Sequence, residues 1–169
     1  MLFFGLLVVL TLLAAGLHLA RVPGLTDWPA RMRLAMALAL LFAGTDHWLN
    51  PQRYLGMLPS WVPLPLETVL FTGAAEIAGA LGLLVPRLRR LAGLLLAVYF
   101  VAVFPANLHN ALNSVAVEGL PQAGWYYWAR LPFQPLAIWW ALFAAQIIVW
   151  PRKMQRPIIG SQPPVPGGI

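Results

Sequence analysis

Residues 66–90 read LETVLFTGAAEIAGALGLLVPRLRR, an apolar run from Leu66 to Val85 stopped by Pro86 and followed at once by Arg87, Arg89 and Arg90. The run matches the roughly 20 residues that an α-helix needs to cross a hydrocarbon core. Proline and then basic residues are a common way for such a helix to end at a cytoplasmic face. Working outward, four further apolar stretches flank it: Leu2–Ala20, Met32–Leu49, Leu91–Leu108 and Pro135–Trp150. The basic residues between them fall in every second gap. Arg21, Arg31 and Arg33, then Arg87, Arg89 and Arg90, then Arg152, Lys153 and Arg156 lie on one side, against Arg53 and Arg130 on the other. Because cytoplasmic loops keep the excess of Lys and Arg, the pattern predicts five spans with the N-terminus outside and the C-terminus in the cytoplasm.

Composition agrees. Of the 169 residues 60% are hydrophobic and 9% charged, outside the range of ordinary soluble domains. The net charge of +6 would suit a nucleic-acid partner. The basic residues sit at span ends, however, and form no patch interleaved with stacking aromatics, so they read as orientation signals and lipid headgroup contacts. No cysteine is present, which excludes disulfides, thiolate metal sites and iron–sulfur clusters. Any redox role therefore needs a bound cofactor.

Along the chain come a first apolar helix with a basic loop (1–31), the four remaining apolar stretches (32–150) and a basic Pro/Gly-rich tail (151–169) that lacks the apolar content to fold. Leu2–Ala20 has neither the basic n-region nor the A-x-A site of a cleaved signal, so it is expected to stay. The turn Pro86–Arg90 is short, which makes the helices on either side antiparallel neighbours. Pro105 lies inside the fourth span and frees a carbonyl that a neighbouring helix or water must satisfy. The two outer loops, Pro51–Pro65 and Asn113–Pro132, carry Tyr54, Trp61, Trp125, Tyr126, Tyr127 and Trp128. Such rings suit anchoring at headgroup depth, with a lid over a pocket as the alternative.

Glu76 is the charge that no loop explains. It lies about 15 Å below the outer surface by helical rise, where a carboxylate is expensive unless protonated, paired or hydrated. Gly73 and Gly79 flank it at i−3 and i+3, giving a face that permits close helix approach and points Glu76 into the bundle. Counted from the cytoplasmic end, Glu76 lies roughly 14 Å into the membrane and His47 roughly 20 Å, within side-chain reach if the second and third spans pack together. A carboxyl–imidazole pair in a dry bundle can hold or pass a proton. Alternatively it is a buried hydrogen bond that fixes helix register. Nearer the outer ends, Asp46, Glu67, Asn107, His109, Arg130 and Gln134 could build a polar pocket, with Glu67 and Arg130 pairing across its mouth. The competing reading is ordinary solvation of span ends.

Several motifs in fixed order carry a resemblance. FAGTDHWLNPQRYLGMLPSWVP, then TGAAEIAGALGLLVPRLRRLAG, VAVFPANLHNAL and RLPFQPLAIWWAL follow one another between about Leu34 and Trp150. They resemble the DoxX-like group of small bacterial membrane proteins, with Gly44 and His47 as its Gly-x-x-His and Gly73 and Glu76 as its Gly-x-x-Glu. Phe104–Asn107 stands at its Phe-Pro-Ala-Asn helix end, and Arg130–Pro135 at its entry to the last helix. The resemblance implies an all-α transmembrane bundle in a bacterial inner membrane, a four-helix core to which Leu2–Ala20 adds an N-terminal helix. It also implies, for some relatives, association with thiosulfate- or quinone-linked oxidoreductases.

Three functional classes follow. The chain is the membrane subunit of a quinone-linked oxidoreductase, not self-sufficient, with Glu76 and His47 handling protons and a membrane or periplasmic redox partner supplying electrons. Or it is a proton-coupled transporter of a small molecule, which with five spans and no repeat calls for a homo-oligomer. Or it is a scaffold for another membrane protein. A quinone is the one cofactor this reading calls for. Bis-His haem between His47 and His109 is disfavoured because Pro105 distorts one of the two helices, and no Glu-x-x-His repeat marks a paired-metal site.

Overall fold

A computed structural model describes residues 2–20, 22–113, 115, 117, 121 and 123–149. All regular structure among them is helical: α1 (Leu2–Leu19), α2 (Trp28–Leu49), α3 (Gln52–Leu55), α4 (Pro65–Leu84), α5 (Arg89–Ala102), α6 (Phe104–Asn113), α7 (Gly124–Arg130) and α8 (Phe133–Ala144). The tail expected to be unfolded, 151–169, lies outside the described residues.

Helices α2, α4, α5 and α8 pack in a closed ring, each against the next, and α1 lies along the outside of α2. The chain is an all-helical bundle, the fold class that the sequence predicts. Two helices are long and apolar enough to cross a membrane by length and composition: Pro65–Leu84, and Arg89–Asn113, in which α5 and α6 run on through a break at Val103. α1 is apolar and slightly shorter. α2 is 22 residues long but carries Arg31, Arg33 and Asp46, and α8 has only 12 residues.

The element ends have local causes. α2 begins a turn before the expected Met32, because Asp27 caps it by accepting from the Ala30 amide (2.7 Å) and Pro29 is pre-set for a first turn. α8 ends at Ala144, short of the expected Trp150, which lies outside the described residues. Gln146 takes a left-handed conformation (φ 59°), its N–H donates to Phe143 O (3.0 Å), and the Ile147 N–H donates to Leu142 O (3.0 Å). Those two bonds form a Schellman stop made without glycine. At the break between α5 and α6, Gln134 Nε2 of α8 donates to Phe100 O (2.9 Å), one residue from the carbonyl that Pro105 leaves without its amide. A neighbouring helix thus bonds beside the break, while the carbonyl that Pro105 frees, Val101 O, faces the Val103 amide of its own helix end.

The bundle has two unlike ends. At the arginine end, Arg33 donates to Ala144 O (3.0 Å) and Arg89 to Leu83 O (3.4 Å), so cations meet the carbonyl termini of α8 and α4. Trp140 Nε1 donates to Met32 O (3.1 Å) and ties α8 to α2 there. At the other end, the α3 end, α2 finishes, α4 and α8 begin, and α3 and α7 lie across the top. Between the two ends, the outer faces of α1, α4 and α5 are apolar: Leu12 is 62% exposed, Phe71 73% and Val98 66%.

Glycines set the helix spacing. A Cβ on Gly44 would lie 2.7 Å from Gly73 O, and one on Gly73 would lie 2.8 Å from Gly44 O and 2.7 Å from His47 Cβ. The backbones of α2 and α4 touch at these two residues. Gly79 and Gly82 similarly admit Leu96 and Ala92 of α5. Gly5 and Gly16 on α1 face open space. Gly73→Ala should accordingly lower the apparent melting temperature in detergent, by an overpacking cost on the order of 1–3 kcal/mol, whereas Gly16→Ala should leave it unchanged or raise it; equal melting curves for the two variants would contradict the packing described.

Candidate functional site

Because Gly44 and Gly73 are in contact, the residues one turn beyond them, His47 and Glu76, are forced together. Both are buried, 9% and 7% exposed. Glu76 Oε1 accepts a hydrogen bond from the Tyr99 hydroxyl of α5 (2.8 Å). Glu76 Oε2 lies 3.4 Å from His47 Nδ1 and has no hydrogen-bond partner of its own. His47 Nδ1 also faces Ala43 O at 2.9 Å, which places the ring proton on that nitrogen. Three protonatable groups from three helices therefore meet at one carboxyl, one of whose oxygens is still open to a further donor.

A second cluster roofs the first. Asp46 collects three donors: Asn50 Nδ2 on Oδ1 (2.7 Å), and Arg53 (2.7 Å) and the Tyr54 hydroxyl (2.6 Å) on Oδ2. The bonds from Arg53 and Tyr54 hold α3, a helix of four residues with no cap hydrogen bond from a side chain, against the end of α2. They also lay the Tyr54 ring on the His47 imidazole, centroids 3.8 Å apart and 18° from parallel. Burial, and then the hydrogen bond to the Asp46 carboxylate, push the Tyr54 phenol well above its ordinary value, so it stays a donor at any physiological pH.

Both clusters line one cavity of about 310 Å³ at the α3 end, in the lower part of the range for small-molecule sites. Phe3 and Phe4 of α1, Phe42 of α2 and Phe100 of α5 supply apolar wall, and Asn107, Arg130 and Gln134 supply polar wall. The aromatic segment of α7 is divided between the two roles the sequence leaves open. Tyr126 lines the cavity and Tyr127 is buried with its hydroxyl accepting from the Val117 amide (3.2 Å), while Trp125 and Trp128 are exposed.

Of the residues singled out from sequence, Asp46, His47, Glu76, Asn107, Arg130 and Gln134 meet at this cavity. Glu67 does not. It is exposed in the first turn of α4, where a carboxylate suits the helix dipole, and among the described residues Arg130 pairs with Asn107 Oδ1 (3.3 Å) instead. His109 is half-buried beside the fully buried Asn110, away from the cavity lining. Tyr99, Tyr54 and Arg53 belong to the site without having been singled out. A hydroxyl-bearing ring, Tyr99, in the otherwise apolar α5 is the one signal that could have drawn notice. No group of His, Cys, Asp and Glu among the described residues is arranged to hold a metal ion.

A family model described as a domain of unknown function, DUF8561, matches residues 36–145. The chain belongs to that family. The matched segment runs from within α2 to the residue after α8, so it contains the helical ring and leaves α1 outside. No curated protein and no solved structure matches the chain.

The role of Asp46 as the anchor of α3 is open to measurement. Asp46→Ala removes the shared acceptor of Asn50, Arg53 and Tyr54, and should speed amide hydrogen exchange over residues 50–58 while leaving α4 protected. Unaltered exchange in that segment would show that α3 is held by something else.

Proposed function

We propose that this member of the DUF8561 family is a multi-pass membrane protein whose outward-facing cavity binds a quinone-type ligand, as the non-autonomous membrane subunit of a redox system. The membrane part rests on two apolar helices of spanning length, the exposed apolar faces of α1, α4 and α5, and the alternation of basic residues along the sequence. On this reading α1, α2, α4, α5–α6 and α8 are five spans of a bacterial inner-membrane protein. The arginine end is cytoplasmic and the α3 end lies outside. α8, at 12 residues, covers about 18 Å, so the bilayer must thin beside it or flanking residues must complete the crossing. The DoxX-like motifs agree with this assignment: their Gly-x-x-His and Gly-x-x-Glu turns are the ones that meet at Gly44 and Gly73.

The single observation that carries the functional part is the Tyr99–Glu76–His47 cluster on the wall of a cavity whose other walls are mostly apolar, with Phe3, Phe4, Phe42 and Phe100 among them. A quinone has this mixed chemistry, a flat apolar ring with oxygens that must be hydrogen-bonded and, on reduction, protonated. Formation of a quinol takes up two electrons and two protons per ring. Here Glu76 and His47 exchange protons with the ligand oxygen, Tyr99 orients the carboxyl, and the stacked Tyr54 keeps water from the imidazole face. The electrons come from a separate donor protein with its own redox cofactor, docking at the outer face.

Mass spectrometry of small molecules that co-purify in mild detergent tests the ligand. A quinone enriched with the wild-type protein and lost from Glu76→Gln is the expected outcome. A different polar metabolite lost from the variant would point to transport, and bulk lipid alone in both would point to a scaffold. For topology, a reporter fused after Ile169 should be active only in the cytoplasm, and an active external reporter at that site would overturn the orientation.

A further inference from the structure

The charges lining the cavity pair off, with one exception. Asp46 is matched by Arg53, and Glu76 faces His47. Arg130 has no carboxylate among the described residues. Its guanidinium makes one hydrogen bond, to the neutral Asn107 Oδ1, and lies 6.0 Å from the Tyr126 ring centroid. It stands at the last residue of the short helix α7, where the helix carbonyls favour a cation, but a terminal half-charge does not neutralise a half-buried guanidinium. Burial pulls its pKa below the ordinary arginine value, partly opposed by the neighbouring tyrosines. A guanidinium offers five N–H donors in a planar fork, and one is used among the described residues.

We infer that Arg130 forms an anion-selective subsite in this cavity, and that the physiological ligand carries an ionised oxygen, as a carboxylate or an acidic enol on an apolar ring. The ring lies among Phe3, Phe4 and Phe100, and the ionised oxygen engages the free donors of Arg130 beside Asn107. Asn107 is thereby a positioning residue, since its amide Nδ2 is turned back to Val103 O (3.4 Å) and its oxygen holds the fork in place. A guanidinium with no carboxylate among the described residues, in a partly desolvated wall, discriminates strongly in favour of charge, because a hydrogen bond to an ion is worth about twice one to a neutral group. The inference rests on the cavity being a ligand site, as the quinone reading does, but not on the ligand being a quinone.

Two pairs of probes separate the possibilities on the purified full-length protein in detergent, by titration calorimetry at pH 7. The first pair is 2-hydroxy-1,4-naphthoquinone, ionised at that pH, against neutral 1,4-naphthoquinone. The second is benzoate against benzamide. The wild-type protein should bind each anion about tenfold more tightly than its neutral counterpart, a difference of one charge-assisted hydrogen bond. Arg130→Gln should abolish both preferences, and Arg130→Lys should retain part of each. Equal affinity within both pairs in the wild type would overturn the anion subsite while leaving the quinone reading standing. Arg130-dependent binding of benzoate with no binding of either quinone would uphold the subsite and sink the quinone reading. Binding of none of the four would overturn both. Should Arg130→Gln fail to fold, the wild-type comparison within each pair still decides.

Discussion

Two helices, α2 and α4, touch backbone to backbone at Gly44 and Gly73, where any side chain on either residue would strike the opposite carbonyl. The rest of the site depends on that contact. In a helix the position three residues on lies on nearly the same face, so a glycine contact delivers the two i+3 residues, His47 and Glu76, to each other at van der Waals range. Small residues let helices approach in lipid, where apolar burial alone gives little reason to associate. Here the same device also sets the distance between a carboxyl and an imidazole. The contact is thus structural and chemical at once.

Once Glu76 is fixed, its neighbours divide the labour of burying a carboxyl. Tyr99 comes from the adjoining helix α5 and satisfies one oxygen, while the other is left toward His47 and the cavity. The hollow exists because α3 and α7 roof the bundle at a distance. Asp46 pins α3 by two hydrogen bonds, from Arg53 and Tyr54, and the Pro105 break, with Gln134 bonded beside it, ends α5 below the roof.

Much of this was legible in the sequence, and the reason is local. Gly44, His47, Gly73 and Glu76 lie within single helical turns, so spacing alone puts each glycine beside its partner, and the depth of Glu76 in an apolar run marks it as costly. The all-helical bundle follows from the apolar stretches of helical length. What was not legible depends on tertiary placement. Tyr99 looks like any aromatic residue in an apolar helix until α5 packs on α4. Arg53 and Tyr54 reach Asp46 only because the chain reverses at Asn50–Pro51, and the direction of that reversal is not written in residue spacing. Phe3 and Phe4 reach the cavity wall because α1 lies along α2, a packing choice that a uniformly apolar helix leaves open. Glu67 looked like a partner for Arg130 by depth alone, but α4 begins with its first turn facing outward and leaves the carboxylate exposed.

The central claim is that Glu76 and His47 act as one unit on the ligand because the glycine contact joins them. A double-mutant cycle measures this directly, with 1,4-naphthoquinone affinity determined for the wild type, Glu76→Gln, His47→Gln and the double variant. Residues that share one interaction give effects that do not add, with coupling on the order of 0.5–3 kcal/mol. The structure predicts that the second substitution costs little once the first is made. Independent, additive losses, or no loss from either substitution, would contradict the account.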